Sequence, residues 1–175
     1  MTESLKPSAA AIRVCIADYG NPLHGQALVT LLDAYARDAA GGGAPLSDFA
    51  KTSLLEGLAA HPHAFSVLAF DGDKAVGLAN CFESFSTFAG RPLVNVHDLA
   101  VLPEYRGQGV GEKILVMVED MAHKRGACKM TLEVLSGNLN AMRLYARSGF
   151  AGYQLDPVMG HAQFLQKWLT PKVPG

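Results

Sequence analysis

Three glycines, Gly107, Gly109 and Gly111, stand where a strand pattern gives way to a helix pattern. The first amides of a helix have no partner within it, and the aligned peptide dipoles place partial positive charge there. Because glycine lacks the Cβ that would keep a bulky anion away, such a turn can bring a phosphate against these N–H groups. The same turn could need glycine only for positive φ angles, so alone it is a weak signal of function.

Two familiar phosphate-binding motifs do not match this turn. The dinucleotide-binding fingerprint needs a further glycine where Glu112 stands, and no Gly-Lys-Ser or Gly-Lys-Thr follows as in a P-loop. The turn is therefore neither of these motifs.

The segments on either side of the turn have clear periodicities. Residues 93–102 carry the β-branched and aliphatic content of a buried strand, which Pro103 ends. From Gln108 onward, apolar residues such as Val110, Ile114 and Met117 recur at helical spacing. The sequence thus predicts a strand, a tight turn and a long helix.

A second motif lies downstream. The turn fits the pattern Arg/Gln-x-x-Gly-x-Gly/Ala at Arg106, Gly109 and Gly111, and residues 138–150 fit Asn-x-x-Ala-x-x-Leu-Tyr-x-x-x-Gly-Phe at every fixed position. With both motifs in this order, residues 93–169 resemble the GNAT superfamily of acyl-CoA-dependent N-acetyltransferases, and in particular its polyamine or diamine and arylalkylamine members. The resemblance implies transfer of an acetyl group, or of a longer acyl group, from its CoA thioester to the primary amine of a small molecule, by direct attack in a ternary complex.

The resemblance also implies which residues hold acetyl-CoA. They are the strand end, the turn and the start of the following helices: Leu99, Ala100, Val101, Arg106, Gly107, Gln108, Gly109, Val110, Gly111, Glu112, Asn138 and Ala141. The backbone N–H of Leu99 or a neighbour is expected to donate to the thioester oxygen, whose charge grows in the transition state. Asn138 has an alternative role, since helix capping alone would also account for it.

The acceptor amine must be neutral to attack. An alkylammonium with a pKa of about 10.4 is only about one part in 10³ neutral at pH 7, which adds about 4–5 kcal/mol to the barrier. His97 is the first candidate for the base, because imidazole titrates near neutral pH. The run from His97 to Val101 also resembles the His-Ala-Leu-Ala-Val of arylalkylamine N-acetyltransferases, although Asn95 stands where those enzymes have a second histidine. His97 could instead be a strand histidine that is hydrogen-bonded to a neighbour.

Three further residues are predicted to contact the acceptor: Glu83, Phe85 and Asp98. The region resembles polyamine acetyltransferases, in which Asp98 would keep the family's aspartate while His97 replaces its glutamate. This lost carboxylate weakens the case for a polycationic substrate. Asp98 could equally be a structural hydrogen-bond acceptor, and Glu83 a solvated strand residue.

Tyr145 occupies the tyrosine of the second motif. The resemblance implies that it is the general acid that protonates the leaving CoA thiolate. A phenol, with an ordinary pKa of about 10, is protonated at neutral pH and can supply that proton. The alternative is a helix tyrosine that packs on the sheet.

The predicted order of elements is β-α-α-β-β-β-α-β-α-β-β, with the last two strands near Tyr153 and over Ala162–Leu169. This is an α/β fold, and it resembles the GNAT fold: a mixed six- to seven-stranded sheet flanked by helices, with splayed fourth and fifth strands. Alternation along the fourth strand would put His97 and Leu99 on one face and Asp98 on the other, unless a bulge changes the parity. The acceptor pocket is expected between the helices around Tyr35 to Phe49, the arm at residues 82–88 and the last strands near Tyr153.

Composition narrows the classes of function. The 175 residues suit one domain over residues 11–170, with frayed tails at 1–10 and 171–175. The formal net charge of −1 argues against a nucleic-acid partner, and no apolar stretch is long enough to predict a membrane span. Three widely spaced cysteines and six histidines without ligand spacing predict neither disulfides nor a metal site, which fits a cytoplasmic protein.

Two alternative functions stay open at this point. A protein or peptide N-acetyltransferase would need a more open cleft, and a CoA-binding sensor or interaction module of the same fold would have lost transfer. The complete second motif, with Tyr145 in place, favours an enzyme. The resemblance also implies a homodimer, because this assembly is common among such enzymes.

Overall fold

The structure, a computed structural model, describes residues 12–153 and 155–169. Five strands and four longer helices alternate along the chain: β1 (Ile12–Ile16), α1 (Pro22–Arg37), α2 (Asp48–Ala60), β2 (Ala64–Asp71), β3 (Lys74–Ser86), β4 (Arg91–Val101), α3 (Val110–Lys124), β5 (Met130–Leu132) and α4 (Leu139–Arg147). None of the helices in these ranges is long and apolar enough to cross a bilayer.

The five strands form one mixed sheet in the order β1-β2-β3-β4-β5. The first four are antiparallel neighbours, and β5 runs parallel to β4. β2 and β3 form a hairpin with a tight turn, in which Gly72 has a φ of 56°. The α/β class and the mixed sheet expected from the sequence are therefore confirmed.

The helices cover both faces of the sheet. α3 buries Ile114, Leu115 and Val118 against the face that carries Val67 and Val94, because its apolar residues recur at helical spacing. α1 and α2 cover the other face, where a second apolar cluster includes Leu28, Leu31, Leu58, Leu68 and Leu78. The sheet is thus buried on both sides, which holds β4 rigidly between the two layers.

Capping residues set where the helices begin. The side chains of Asn21, Ser47 and Asn138 accept hydrogen bonds from the backbone amides of Leu23, Ala50 and Ala141. The capping role considered for Asn138 from the sequence is therefore confirmed. α3 differs, because its N-cap is Gly109 and no side chain caps it.

A bulge interrupts the pairing of β3 with β4. Asn80 pairs with Asp98 and Cys81 pairs with Val96, so His97 has no partner across the ladder. The extra residue changes the alternation: Val96 and Leu99 pack in the α3-side cluster, while His97 contacts Phe82 of the α1/α2 face. The simple alternation that placed His97 with Leu99 and opposite Asp98 is therefore wrong.

The C-terminal part differs from the expected layout. The described residues after Phe150 contain a short 3₁₀ turn at Pro157–Met159 and no strand, so the two last strands predicted near Tyr153 and over Ala162–Leu169 are not formed. An alternating pattern gives a strand only where a partner edge pairs with it, and here no ladder to β5 forms: Trp168 is 87% exposed. The sheet has five strands in the described residues, and the predicted tails at 1–10 and 171–175 lie outside them.

Candidate active site

A cleft opens where β4 and β5 separate. The two strands pair only between Val94–Val96 and Met130–Leu132. Beyond this point β4 continues to Val101 paired with β3 but no longer with β5. β5 ends at Leu132, where its pairing with β4 ends. The cleft has a volume of about 1040 Å³, and it is lined by residues of β4, the glycine turn, α4 and the end of α1. This volume is at the upper end of the range for small-molecule sites.

The backbone of β4 offers free polar groups to this cleft. Leu102 donates its N–H to Val76 of β3, and alternate residues of an antiparallel strand point to opposite edges. The N–H and C=O groups of Leu99 and Val101 therefore point away from β3 and towards the cleft. The Val101 carbonyl is reached there by the Arg106 side chain at 2.9 Å.

The three glycines of the turn serve two different purposes. Gly107 and Gly109 have left-handed φ angles of 72° and 79°, and a Cβ built on either meets no atom within 4 Å. Gly111 is inside α3, where a Cβ would come within 2.8 Å of the Leu144 side chain. The first two glycines thus shape an open cradle, whereas Gly111 lets α4 pack closely against α3.

The amides that follow this cradle are available to an anion. α3 starts at Val110, its first internal bond is donated by Lys113 to the Gly109 carbonyl, and no side chain caps its first turn. The N–H groups of Val110, Gly111 and Glu112 consequently face the cleft end without helix partners. The cradle fits a phosphate-bearing ligand, because the space a Cβ would fill is open beside unpaired donors.

Arg106 and Gln108 contact protein groups around the turn. The Arg106 guanidinium pairs with Asp38 at 2.8 Å, and Gln108 donates to the Glu104 carbonyl at 2.8 Å. The Ala40 amide and then Arg106 hold the pKa of Asp38 below its ordinary value. The Arg106–Asp38 ion pair connects the glycine turn to the end of α1 across the mouth of the cleft.

On the opposite wall, α4 presents Asn138, Ala141 and Tyr145. Asn138 both lines the cleft and caps the helix, so the capping role considered from the sequence is present. Tyr145 packs edge-on against Phe150 with ring centroids 5.9 Å apart. Burial, and then the neighbouring Tyr35, raise the pKa of Tyr145 to about 12. Its phenol is therefore protonated throughout the neutral range and can donate a proton.

Tyr35, which is expected from the sequence at the acceptor pocket without an assigned role, is a cleft residue. It lines the same cavity as Leu99 and Tyr145. Burial, then the charge of Asp98 and then that of Asp38, raise its pKa. Its position is set by the packing of α1 on the sheet, for which the sequence carries no motif.

His97 and Asp98 both contact the α1/α2 face because of the bulge. His97 is exposed and lies edge-on to Phe82, with ring centroids 5.5 Å apart. The Asp98 Oδ2 accepts a hydrogen bond from Asn80 Nδ2 at 3.0 Å. The two candidates are thus adjacent, immediately before the cleft residue Leu99.

The other two predicted acceptor residues are not brought to this place. Glu83 lies on the α3 face, where its carboxylate contacts Arg125 at 3.2 Å and His63 at 3.5 Å. Phe85 is 58% exposed on the arm that β3 and β4 form beyond the sheet. The structure therefore brings Tyr145 and the expected cofactor residues other than Gln108 to the cleft, and it places His97 and Asp98 next to it on β4. It brings neither Glu83 nor Phe85 there.

Comparison with known proteins is consistent with this geometry. The family model described as acetyltransferase (GNAT) family matches residues 26–150. Thialysine N-epsilon-acetyltransferase of Bos taurus is 41% identical over 78 residues, which are 45% of each chain. Streptothricin acetyltransferase of Streptomyces lavendulae is 34% identical over 104 residues, 59% of this chain and 52% of that protein. The chain thus spans about half the length of the curated relatives it matches.

Solved structures share the fold at low identity. An aminoglycoside acetyltransferase from an uncultured soil metagenomic sample superposes with a TM-score of 0.71 at 16% identity, over 93% of this chain and 98% of that one. A structure described as a transcriptional regulator from Bacillus halodurans C-125 also gives 0.71, at 18% identity, over 90% and 99% of the two chains. At these identities the likeness shows the fold alone.

Proposed function

The chain belongs to the GNAT family of acetyltransferases, and on that premise we propose that it transfers an acetyl group from acetyl-CoA to the primary amine of a small molecule. Transfer occurs by direct attack in a ternary complex. The observation that carries this proposal is the continuous cleft that joins the glycine cradle, the free backbone of β4 and the Tyr145 phenol. These are the three features that acyl transfer from a CoA thioester requires.

The cradle and β4 would hold the co-substrate. The amides after Gly109 suit the diphosphate of CoA, and the N–H groups of Leu99 and Val101 with the Leu99 carbonyl suit the amides of its pantetheine arm. Asn138 and Ala141 form the opposite wall. Acetyl-CoA supplies the activated acyl group as a thioester, while every other contribution comes from residues of this chain.

Two side chains would handle protons. Tyr145 would protonate the departing thiolate, because its raised pKa keeps the phenol neutral at working pH. His97, which is exposed beside the cleft strand, would accept the proton of the amine directly or through water. The N–H of Leu99 would stabilise the charge that develops on the carbonyl oxygen.

A small acceptor is favoured over a peptide. Tyr35 and Asp38 line the cleft from the α1 side, and the ion pair of Asp38 with Arg106 of the glycine turn bridges the cleft mouth. The relatives named for thialysine and streptothricin are acetyltransferases of amine-bearing small molecules by name, which supports the same class here. The arm carrying Phe85 is a further candidate wall for the acceptor.

The setting and assembly are part of the same proposal. Cys15, Cys81 and Cys128 are all free thiols, which supports a reducing, cytoplasmic setting. The exposed apolar side chains at the C-terminal end, such as Phe164 and Trp168, support a homodimer in which they would be covered. Sedimentation of the purified chain tests the latter: a monomer at every concentration would contradict it.

The experiment that tests the function combines binding and turnover. Calorimetry with acetyl-CoA should give a saturable binding isotherm, and release of CoA thiol should depend on an added amine. Thialysine, lysine, 2-phenylethylamine, spermidine and an N-terminal peptide form the panel. Binding without turnover on any amine would identify a CoA-binding module instead, and no binding at millimolar acetyl-CoA would refute the proposal.

A further inference from the structure

A chain of hydrogen bonds runs through the interior of the sheet and ends at Asp98. Tyr19 Oη lies 2.9 Å from Ser66 Oγ, Ser66 Oγ lies 2.7 Å from Asn80 Oδ1, and Asn80 Nδ2 lies 3.0 Å from Asp98 Oδ2. The four residues belong to the turn before α1, to β2, to β3 and to β4. Ser66 is 0% exposed and Asn80 2% exposed, and within the described residues they are the buried polar side chains of the protein.

Chemistry fixes the direction of every bond in this chain. The Asp98 carboxylate can only accept, so the Asn80 amide nitrogen donates to it and the amide oxygen faces Ser66. The Ser66 hydroxyl must then donate to that oxygen, which leaves its own oxygen to accept from Tyr19. Burial above all raises the pKa of Tyr19, so its phenol carries the proton that it donates. All three donors are consequently polarised towards Asp98.

The chain orients a charge, and it does not conduct protons. An amide nitrogen neither releases nor takes up a proton at neutral pH, so Asn80 interrupts any relay between Tyr19 and Asp98. Each of the three donors is neutral. They therefore fix the position of the Asp98 carboxylate without neutralising it, unlike a lysine or arginine partner.

Stability alone does not explain these polar residues. Ser66 and Asn80 share a face with Leu68 and Leu78, and replacing both partners of a buried hydrogen bond with apolar residues is often nearly neutral. The chain of hydrogen bonds ends on the partly exposed Asp98, next to the cleft residue Leu99. This placement indicates that function requires the Asp98 carboxylate in a fixed orientation.

The second oxygen of Asp98 is free for a ligand. In the part of the chain that the structure describes, no donor contacts Asp98 Oδ1, whereas Oδ2 is held by Asn80. The bulge at His97 aims both side chains to the same face, and Tyr35 on α1 lies within reach of the Asp98 charge. An oriented carboxylate oxygen with no charged partner among the described residues thus stands next to Leu99, which lines the cleft.

We propose that Tyr19, Ser66 and Asn80 are positioning residues that hold Asp98 so that its free oxygen receives the ammonium group of the acceptor amine. The proposal rests on the proposed acetyltransferase function. It identifies the acceptor as a molecule that arrives as a cation, and it assigns the specificity for that cation to a carboxylate whose geometry is set on β2 and β3.

The test uses steady-state kinetics of the full chain with thialysine and acetyl-CoA. Asn80→Leu should raise the KM for thialysine about tenfold, the loss expected for one hydrogen bond to a charged group, with a much smaller change in kcat. Ser66→Ala and Tyr19→Phe should have successively smaller effects, since they lie one and two bonds farther from Asp98. Cys81→Ala, at the neighbouring buried residue on the other face, is the matched control and should leave this KM unchanged.

A double-variant cycle separates positioning from a merely structural role. In an Asp98→Asn background, Asn80→Leu should add no more than about twofold to the KM for thialysine, because the group through which it acts is gone. An undiminished effect in that background would overturn the proposal, as would equal effects of Ser66→Ala and Asn80→Leu. If Asn80→Leu does not fold, Ser66→Ala and Tyr19→Phe can each be combined with Asp98→Asn in the same double-variant cycle.

The outcome also distinguishes this proposal from the proposed function. A wild-type chain that neither binds acetyl-CoA in calorimetry nor acetylates any amine of the panel refutes the function, and the positioning role falls with it. A wild-type chain that acetylates thialysine while all three variants keep its KM refutes the positioning role alone.

Discussion

Asp98 and Glu83 lie on opposite faces of the same sheet, and the groups that hold them differ in charge. Asp98 accepts a hydrogen bond from the neutral amide of Asn80, whereas Glu83 contacts the Arg125 guanidinium and His63. A neutral donor leaves the carboxylate its full negative charge, while an ion pair cancels most of it. Two carboxylates that look alike in the sequence therefore differ in their capacity to attract a cationic substrate.

The same distinction applies to the cleft as a whole. Tyr145 and His97 are contacted by aromatic rings and by no charged partner among the described residues. The Arg125–Glu83 ion pair on the α3 face and the Lys74–Glu104 ion pair near the β2–β3 turn lie outside the cleft, whereas Arg106–Asp38 lines it. Replacing the cleft groups with neutral surroundings is expected to change rates, and replacing the ion-paired groups outside the cleft is expected to change only stability.

The largest effect is expected from Tyr145→Phe. Removing a general acid should lower kcat by about 10²-fold, at the lower end of the usual range, with the KM for acetyl-CoA unchanged. Because the pKa of Tyr145 is raised to about 12, its phenol stays protonated and wild-type kcat should show no alkaline decline from this group below about pH 11. Initial rates across pH measure both; an unaltered kcat in the variant would remove Tyr145 from the reaction.

Asp98→Asn should come next. The variant keeps the size of the side chain but loses its charge, so kcat/KM for thialysine should fall about 30-fold or more, as for other desolvated charge pairs. Calorimetry should show unchanged acetyl-CoA binding, because Asp98 is outside the cradle. A variant with wild-type kcat/KM would show that the charge of Asp98 does not contribute to binding the acceptor.

A smaller effect is expected from His97→Ala, about tenfold in kcat/KM at neutral pH. If His97 accepts the proton of the amine, the acidic limb of the pH–rate profile should flatten in the variant. Replacing the exposed Arg91 on the same strand by alanine provides the control, with an unchanged profile expected. An acidic limb that survives in His97→Ala would exclude the histidine as the base.

The smallest effect is expected from Glu83→Gln. Its ion pair with Arg125 is partly buried, so chemical denaturation should show a loss of about 1 kcal/mol in the free energy of unfolding. The kinetic constants for thialysine and acetyl-CoA should stay within about twofold of wild type. A large rise in the KM for thialysine would instead show that Glu83 contacts the acceptor.

The cofactor side of the cleft was predictable because its signals are local. Gly107, Gly109 and the start of α3 follow one another in the chain. Glycines directly before a helix pattern predict a turn with positive φ angles. Asn138 and Tyr145 likewise belong to one short helix. Most of the expected cofactor residues line the cleft, and their contacts with acetyl-CoA stay a prediction.

The acceptor side depends on contacts between distant residues. The pairings Tyr19–Ser66 and Asn80–Asp98 join positions 47 and 18 residues apart, and no single stretch of sequence contains them. The bulge at His97 reverses the face of every later residue of β4. Counting alternate positions therefore assigned Asp98 and Leu99 to the wrong faces of the strand. The close packing of Gly111 against Leu144 is likewise a contact between distant residues, and it was not anticipated from the sequence.

The ion pair between Arg106 and Asp38 has a kinetic consequence. Arg106 belongs to the turn that would receive the diphosphate, and Asp38 ends the helix that carries Tyr35. A diphosphate that approaches this guanidinium competes with Asp38 for it, so coenzyme arrival loosens the wall beside the amine. We therefore expect compulsory-order addition, with acetyl-CoA first, and a rate of coenzyme association that depends on ionic strength through this one exchange of partners.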